Sequence, residues 1–429
     1  MQVHMKQVIS AAFSASTEGI TMEQFLRGCL GVVLLVGIAA LFSTDRKKIR
    51  WKTVGYALLF NALFAVLVLR TTPGRHFFEA LSGGLLKIMK FAAEGTQFVF
   101  GPLLDGFTRI PGYTGSSYVF VLGALVPILF FGALISLLYH FGVMQRIVRT
   151  MAWLFMRLFG LSGPEATVAA SNIFVGQVQG AMVISPYISK MSESQVFQMM
   201  VVGMSTVGAG MPIVYAGLGA RMEYVLAANI MAAPAAVVFA KIIIPENEER
   251  CREKGLTFNE EAAGINALDA ISRGAMGGWK VIVAISVMLL AFIPMIHLLN
   301  WTIVTASRHY SDLETVLSWL FTPAAYIVGV PTQDVAGFAK LVGQKTAFNE
   351  VIGFSSLKNT PLSPKGFMLA CFAMTGFANL TSIAIQIGGL GELAPSRKDD
   401  FARLGLRCVL AATLANLLNA TIAGILFTA

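Results

Sequence analysis

Charged side chains are scarce in this chain. They make up 13% of its 429 residues, whereas an ordinary soluble domain carries about 25%. Hydrophobic residues make up 56%, and the mean hydropathy is +0.70. Several apolar runs approach the roughly 20 residues that a helix needs to cross a bilayer. The composition excludes a soluble globular protein and predicts an integral membrane protein.

Residues that enzymes use for metal and phosphate chemistry are few and dispersed. The four cysteines form no Cys-x-x-Cys pair, and the five histidines include no His-Glu-x-x-His motif. A glutamine interrupts GFAKLVGQKT where a P-loop would require lysine, and no Gly-x-Ser-x-Gly occurs. His297 lies in an apolar run after Pro294, as either a proton relay or a core histidine. We therefore predict that the protein is not an enzyme and has no organic cofactor.

The basic residues behind the net charge of +9 concentrate in short loops. The strongest are DRKKIRWK at 45–52 and RKDDFARLGLR at 397–407, as is typical of cytoplasmic loops. Because no basic stripe alternates with aromatic residues, we exclude nucleic acid as a partner. Alternation from these loops predicts that 245–275 is cytoplasmic and that both termini are outside the cytoplasm.

Eight apolar segments are candidate membrane spans. They are 29–43, 54–69, 118–139, 199–220, 225–244, 281–299, 367–390 and 408–427. Segment 76–100 is predicted to be an interfacial helix.

Two further apolar segments are unfit to span a membrane as simple helices. The first hairpin (164–190) is interrupted by prolines and glycines, and the second hairpin (332–357) carries several charges. Irregular backbone at membrane depth is tolerated only where protein covers it or where it lines a wet cavity. Both segments are therefore predicted to be re-entrant hairpins, each turning at its Val-Gly-Gln.

The chain also repeats itself. WLF at 153–155 and 319–321, the two Val-Gly-Gln tripeptides, a glycine-rich span and VLAA segments at 225–228 and 409–412 occur in the same order. Because one complete span separates the halves, the repeat is predicted to be inverted. Such proteins bind substrate and ions where broken helices meet near the bilayer midplane.

The repeat predicts five regions. They are an N-terminal segment at 1–24, scaffold helices at 25–145, the first repeat at 146–244, a cytoplasmic loop, interfacial helix and scaffold span at 245–305, and the second repeat at 306–429.

Glu350 is the sharpest candidate for substrate binding, because an ionisable residue at membrane depth is costly and usually functional. With Asn349 it offers acceptors and donors suited to hydroxyl groups. The alternative is a salt bridge to Lys345. The run from Gly376 to Ser382 is a poor helix former and is predicted to be unwound.

That run carries further candidates for the site. Phe377 could present its ring to a sugar or a base, and Asn379 and Ser382 would share one face of a helix. The alternative is that these polar groups only join helices together.

Asn172, Val175, Thr206 and Val207 offer side-chain and main-chain oxygens next to a glycine-rich span. A set of oxygen ligands suits a hard cation, and we consider sodium. The alternative is ordinary helix capping by Asn172 and Thr206.

Taken together, the motifs resemble one known family. SNIFVGQVQG, GQKTAFNEVIGF and GFANLTSIAIQIGGLGELAP resemble the concentrative nucleoside transporters, over roughly 25–429. The resemblance implies an all-α polytopic membrane protein with eight transmembrane helices, two re-entrant hairpins in an inverted repeat, and interfacial helices. It further implies a homotrimer in the bacterial inner membrane that imports nucleosides with sodium or protons by an elevator-like movement.

The resemblance also assigns roles to residues. Glu350, Asn379 and Ser382 would hold the ribose with Phe377 beside them. Asn172, Val175, Thr206 and Val207 would bind sodium. The residues that would face the base are Gly176, Gln177, Val178, Gln179 and Met211.

The tip of the first hairpin departs from the family pattern. The family typically reads Gly-Gln-Thr-Glu there, whereas this chain reads Gly176-Gln177-Val178-Gln179. A buried polar group that loses its hydrogen-bond partner weakens binding by about 1–3 kcal/mol. We therefore expect this chain to prefer different bases from those that the family usually binds. Two alternatives stay open: the same scaffold carrying a modified nucleoside or another ribosylated solute with proton coupling, or a non-transporting nucleoside-binding membrane module.

Overall fold

The computed structural model of the chain describes residues 22–103, 121–208, 210–246, 264–307 and 312–427, which form helices and loops without a strand. The all-α prediction is confirmed for these residues. The α-helices are α1 (Met22–Leu41), α2 (Trp51–Arg70), α3 (Thr72–Phe100), α4 (Pro127–His140), α5 (Val143–Phe159), α6 (Gly163–Val175), α7 (Gln179–Met182), α8 (Ser185–Ile188), α9 (Glu193–Ser205), α10 (Met211–Gly217), α11 (Met222–Ile243), α12 (Ala267–Ala306), α13 (Leu313–Val328), α14 (Val335–Ala347), α15 (Glu350–Leu357), α16 (Pro364–Met374), α17 (Leu380–Leu393) and α18 (Lys398–Leu426).

Among the described residues, four helical segments are long and apolar enough to cross a membrane. They are Met22–Leu41, Trp51–Arg70, Met222–Ile243 and Pro395–Leu426. Helices α4 and α5 pass the same test only as a pair, with a bend of 77° between them. The predicted count of eight spans stays a prediction.

Two of the predicted spans are broken in the middle. In 199–220, α9 ends at Ser205 and α10 begins at Met211; in 367–390, α16 ends at Met374 and α17 begins at Leu380. Gly376 has φ +145°, and a Cβ atom there would lie 2.5 Å from both the Asn416 Oδ1 and the Ser205 carbonyl oxygen. Only glycine fits such a conformation in so close a contact. The predicted unwinding is thus confirmed up to residue 379, and the residues from 380 onward are helical.

The two hairpins turn in different ways. In the first hairpin, α6 ends at Val175 and Gly176 has φ +91°, so the turn lies at the predicted Val-Gly-Gln. The prediction for the second hairpin was wrong: its Val-Gly-Gln lies inside α14, which continues to Ala347. The chain turns at Asn349 instead, because this side chain accepts a hydrogen bond from the Ile352 N–H and caps the new helix α15.

One end of the helix bundle, here termed the basic end, brings together the two basic loops. The Thr44 N–H donates to the Ile243 carbonyl at 2.9 Å, which joins the 45–52 loop to the end of α11. Arg403 forms an ion pair with Glu193 at 3.1 Å, which joins the start of α18 to the start of α9. Both basic loops therefore lie on one side, as the charge pattern requires.

The opposite end of the bundle holds the other ends of the same helices. Gln24 Nε2 donates to the Phe427 carbonyl at 2.9 Å and connects the start of α1 to the end of α18. Lys358 Nζ donates to the Gly217 carbonyl at 3.3 Å. The described parts nearest the two termini thus lie at the same end, opposite the basic loops.

The first hairpin starts and finishes at the basic end. Glu165, near its start, accepts hydrogen bonds from Ser162 and from Lys241 of α11. The same Lys241 donates to Ser194 Oγ at 3.2 Å, just after the hairpin. Ser194 Oγ in turn donates to the Ile244 carbonyl at 2.7 Å.

The second hairpin starts and finishes at the opposite end. Asp334 at its start accepts hydrogen bonds from the Ser363 N–H, at 3.0 Å, and from the Ser363 hydroxyl after it. Nearby, Arg27 of α1 donates to the Val330 carbonyl at 3.5 Å. The two hairpins therefore enter the bundle from opposite ends, which supports the inverted repeat.

Helices α11 and α18 form the centre of the bundle, and 89% of the apolar stretch of each is buried. They pack on each other and on α1, α2, α9 and α16. Helix α4 packs instead along α12. The sequence grouped α1, α2 and α4 together in 25–145, whereas the packing distributes them between two groups of helices; the region boundaries stay predictions.

The WLF tripeptides belong to two helices that precede the hairpins, α5 and α13. Helix α13 was absent from the predicted spans, since Pro323 and several polar residues interrupt its apolar run. In each half, a threonine follows the broken helix and donates to a carbonyl four residues back: Thr206 to Val202 at 2.8 Å, and Thr375 to Cys371 at 2.7 Å. The repeat therefore extends to local hydrogen bonding.

Candidate substrate and cation site

The second hairpin meets the break between α16 and α17 at Glu350. This residue begins α15 and is 5% exposed. Asn379 Nδ2 donates to Glu350 Oε2 at 3.0 Å, while Asn379 Oδ1 accepts from the Ser382 N–H at 2.8 Å. Asn379 thus caps α17 and fixes the carboxylate in one position. The structure brings together the three residues predicted to hold a ribose.

Aromatic residues surround this polar group. Phe377 is half-buried in the break itself. Tyr215 of α10 stacks on Phe354 of α15 with ring centroids 4.2 Å apart. Sequence reasoning missed Tyr215, because a single tyrosine in an apolar stretch gives no signal of its own.

The tip of the first hairpin is hydrogen-bonded to α17, the helix that Asn379 caps. Gln177 is 8% exposed. Its Oε1 accepts a hydrogen bond from Gln386 Nε2 at 3.3 Å, and the same Nε2 donates to the Met200 carbonyl at 3.0 Å. Sequence reasoning missed Gln386, although an amide inside the apolar run SIAIQIGG could have indicated it.

Both hairpin tips therefore converge on one short helix. Asn379 caps α17, and Gln386 follows two turns later, about 10.5 Å along the axis. Gln177 thus contacts α17, and Glu350 contacts its cap; that the two side chains face one shared cavity stays a prediction. The alternative salt bridge is not formed: among the described residues no ion pair joins Lys345 to Glu350, and Lys345 Nζ donates instead to Asn416 Oδ1 at 2.9 Å.

The remaining tip residues point in different directions. The Val178 side chain packs against Gly389 of α17, so closely that a Cβ atom added to Gly389 would lie 2.6 Å from a Val178 methyl group. Gln179 is exposed and folds back toward Gly176. Met211 is buried at the start of α10. The structure thus supports a polar tip at Gln177 and an apolar contact at Val178.

The candidate cation ligands also come together. Asn172 is fully buried, and neither atom of its amide has a hydrogen-bond partner among the described residues. It therefore does not act as the cap considered as the alternative. Val175 approaches the break between α9 and α10, since a Cβ atom on Gly208 would lie 3.5 Å from its carbonyl oxygen. Thr206 and Val207 lie in that break.

These residues fit a small hard cation. The unpaired Asn172 amide oxygen and the main-chain carbonyls supply oxygen ligands only. Within the described ranges, no group of three histidine, cysteine, aspartate or glutamate residues could hold a metal ion. The donor set therefore suits sodium and not a transition metal.

Asn229 of α11 holds this region together. Its Oδ1 accepts from the Val207 N–H at 2.8 Å, and its Nδ2 donates to the carbonyls of Val207, at 3.0 Å, and Ile173, at 2.9 Å. One side chain thus connects the first hairpin to the break. Sequence reasoning placed Asn229 within a repeat landmark but gave it no role.

Three family models cover most of the chain. The Na+ dependent nucleoside transporter N-terminus matches residues 30–103 and the corresponding C-terminus matches 224–424. A nucleoside recognition model, termed Gate, matches 121–222. The first hairpin lies within the Gate match, and the second hairpin lies within the C-terminal match.

Complete relatives extend this similarity. The uncharacterized transporter YutK of Bacillus subtilis is 40% identical, covering 93% of this chain and 98% of YutK. The nucleoside permease NupC of Helicobacter pylori is 34% identical, covering 92% of this chain and 96% of NupC. The chain belongs to the concentrative nucleoside transporter family.

Solved structures of this transporter family share the fold. CNTnw in an inward-facing substrate-bound state matches with a TM-score of 0.87 and 35% identity, covering 94% of this chain and 98% of CNTnw. A CNTnw variant in an outward-facing state matches with a TM-score of 0.89 and 34% identity, covering 95% and 99%. This chain is therefore a membrane protein of a nucleoside transporter family, and not of an enzyme family.

Proposed function

We propose that this concentrative nucleoside transporter imports nucleosides by sodium symport. The observation that carries the proposal is the convergence of both hairpin tips on α17, through Gln177–Gln386 and Glu350–Asn379. Two hairpins that enter from opposite ends and meet at one helix form a site that either end can expose. Alternating access to such a site is what inverted-repeat transporters require.

The ribose would bind at the second hairpin. Glu350 has one carboxylate oxygen that accepts from Asn379 and a second oxygen available to a substrate hydroxyl. Ser382 supplies a hydroxyl group on the first turn of α17, next to the Asn379 cap. Because a buried carboxylate needs strong hydrogen-bond donors, a sugar hydroxyl pair is a fitting ligand. Phe377 would lie beside the sugar.

The base would bind near the first hairpin, where Gly176, Gln177, Val178 and Gln179 form the tip. An amide such as Gln177 can both donate to and accept from a base. Val178 replaces the hydroxyl group usual in the family with an apolar surface. Met211, buried at the start of α10, completes the proposed base contacts.

Sodium would bind between the first hairpin and the break in α9–α10, through Asn172, Val175, Thr206 and Val207. Two of these ligands belong to the first hairpin and two belong to the break between α9 and α10. An ion held between them would fix the hairpin tip, including Gln177, in the conformation that contacts the substrate. Sodium is thus cargo that also assembles the nucleoside site.

We further propose an elevator-like movement, a homotrimer and a location in the bacterial inner membrane. The membrane location and the homotrimer are supported by α12, which presents large apolar side chains to its surroundings, with Leu290 77% and Trp301 65% exposed. Such a face suits lipid or a second copy of the chain.

Uptake into proteoliposomes tests the proposal. With an inward sodium gradient, labelled nucleoside should accumulate above its external concentration, and a sodium ionophore should abolish the accumulation. Accumulation driven by a proton gradient alone would favour the proton-coupled alternative. Nucleoside binding without flux under either gradient would favour the non-transporting module.

A further inference from the structure

A lysine ammonium group is fully buried beside the proposed substrate site. Lys345 lies in the last turn of α14 and has 0% of its surface exposed. Its Nζ donates to Asn416 Oδ1 at 2.9 Å and faces the Ala373 carbonyl oxygen at 3.5 Å. Both partners are uncharged oxygens. A buried charge without a hydrogen-bonded counter-ion is costly. The Glu350 carboxylate of the same hairpin interacts with the ammonium electrostatically but forms no direct ion pair with it among the described residues.

The ends of two broken helices add to the stabilisation of the ammonium group. Ala373 belongs to the last turn of α16. Asn416, which binds the ammonium, also donates through Nδ2 to the carbonyl of Ser205, the last residue of α9, at 2.9 Å. The C-terminus of a helix carries a partial negative charge of about 0.5. Lys345 therefore lies where the negative ends of both broken spans meet.

The first half of the molecule is built differently at the corresponding place. There, Asn229 connects the first hairpin to the α9–α10 break, whereas Asn416 connects Lys345 of the second hairpin to Ser205 at the end of α9 and lies against Gly376 in the α16–α17 break. Among the described residues, no lysine or arginine donates to the group of atoms around Asn229. The Asn172 amide is instead left unpaired. The first half thus has an unpaired amide oxygen at this place, whereas the second half has a lysine ammonium group.

We propose that Lys345 is a positioning residue whose ammonium acts as a fixed cation. It holds the second hairpin against the helix ends in the way that sodium holds the first hairpin against its break. A single sodium ion therefore completes the transport site, and Glu350 is left free for the substrate. This inference rests on the proposed sodium symport and adds the number of coupled ions, which is one.

Sodium titrations of the purified full-length protein test this inference. Nucleoside binding, with uridine and adenosine as probes, is measured against sodium with choline as the replacement ion. The sodium-induced rise in thermal unfolding temperature without nucleoside is measured in parallel. The variants are Lys345→Gln, Lys345→Arg and a matched control, Lys340→Gln, which removes a lysine from the same helix.

The wild-type protein and the Lys340→Gln control should respond to sodium without cooperativity, with a Hill slope of about 1. Lys345→Gln should need about tenfold more sodium or higher, with a slope above 1, because a second ion must replace the ammonium. Lys345→Arg should keep the slope of the wild type. The inference would be overturned if the wild-type protein responded to sodium cooperatively. It would also be overturned if Lys345→Gln had the same sodium dependence as the wild type in both measurements.

Two further outcomes separate this inference from the proposed function. If Lys345→Gln does not fold, Lys345→Arg decides: a folded, non-cooperative arginine variant supports a fixed cation, and an unfolded or cooperative one contradicts it. If the wild type binds nucleoside without sodium, the proposed sodium coupling fails. The fixed cation then still requires Lys345→Gln to acquire a sodium dependence, and its absence would overturn the inference.

Discussion

Single side chains in this transporter commonly serve two elements at once. Asn379 caps α17 through its oxygen and holds Glu350 through its nitrogen. Asn229 likewise connects a hairpin to a broken span. Because each amide has both a donor and an acceptor, it can join two parts of the backbone without a net charge. Substitutions of Asn379 or Asn229 should therefore affect substrate binding more than the loss of one small side chain suggests.

Glu350→Gln should weaken the binding of every nucleoside. The substitution keeps the shape of the side chain and leaves an oxygen for Asn379, but it removes the charge from the hydrogen bonds to the ribose. Such bonds contribute about 1.5–3 kcal/mol, so affinity should fall roughly tenfold to a hundredfold. Equilibrium binding of purine and pyrimidine nucleosides measures this. Glu193→Gln, at an exposed ion pair, is the control; a loss confined to one base would contradict the ribose assignment.

Val178→Thr combined with Gln179→Glu should change the preference among bases while total ribose recognition is kept. The double substitution restores the hydroxyl and carboxylate usual in the family at the tip. Competition by a panel of purine, pyrimidine and modified nucleosides at one sodium concentration should show a reordering of about tenfold or more. An unaltered order of preference would show that the tip does not contact the base.

At the scale of the elements, each hairpin is attached to a neighbouring helix at the end where the hairpin begins. The first hairpin is joined to α11 by the buried Lys241–Glu165 pair. The second is joined to the start of α16 by hydrogen bonds from Ser363 to Asp334, and no ion pair to Asp334 occurs in the part of the chain that the structure describes. Each attachment ties the beginning of the hairpin to a neighbouring helix. We therefore predict that a hairpin opens for substrate entry at its tip and not at this attached end.

Lys241→Met should destabilise the protein strongly, because Glu165 would remain buried without its cation. Breaking a buried pair costs about 3–5 kcal/mol, while loss of an exposed pair costs about 0–1 kcal/mol. Thermal unfolding should thus be lowered far more by Lys241→Met than by Arg403→Met, which removes an exposed pair. The double variant Lys241→Met with Glu165→Met should recover most of the loss. Failure of that recovery would mean that the lysine acts other than through Glu165.

The whole molecule has two chemically different ends. The 45–52 and 397–407 loops meet at the basic end, and the beginning of α1 meets the end of α18 at the other. Basic loops are retained on the cytoplasmic side. These contacts agree with the topology predicted from the sequence, because helices α1, α11 and α18 each run from one end of the bundle to the other.

Cysteine labelling of intact bacterial cells checks this orientation. In a variant without native cysteines, Lys358→Cys should react with a membrane-impermeant maleimide from outside, because residue 358 lies at the end opposite the basic loops. Lys47→Cys should react only after the cells are permeabilised. The reverse pattern would mean that the molecule is inserted with the basic loops outside.

Much of the site could be predicted because its signals are local. A carboxylate, an amide or a poor helix former inside an apolar run is visible in the sequence, and so Glu350, Asn379 and Asn172 could be proposed as site residues from the sequence. Asn229 and Gln386 carry the same signal but were overlooked. The turn of the second hairpin was misplaced because Val-Gly-Gln can continue a helix, whereas the Asn349 cap decides where α15 begins.

We could predict the membrane character, the repeat, the breaks and the residue types of the site from the chain alone, because hydropathy and helix propensity act within short windows of residues. Which polar groups satisfy one another depends on how the helices pack. Gln386 and Gln177 are 209 positions apart, and Lys345 and Asn416 are 71 apart. A buried donor can pair with any acceptor of suitable geometry, so only the packing of the helices selects the partner.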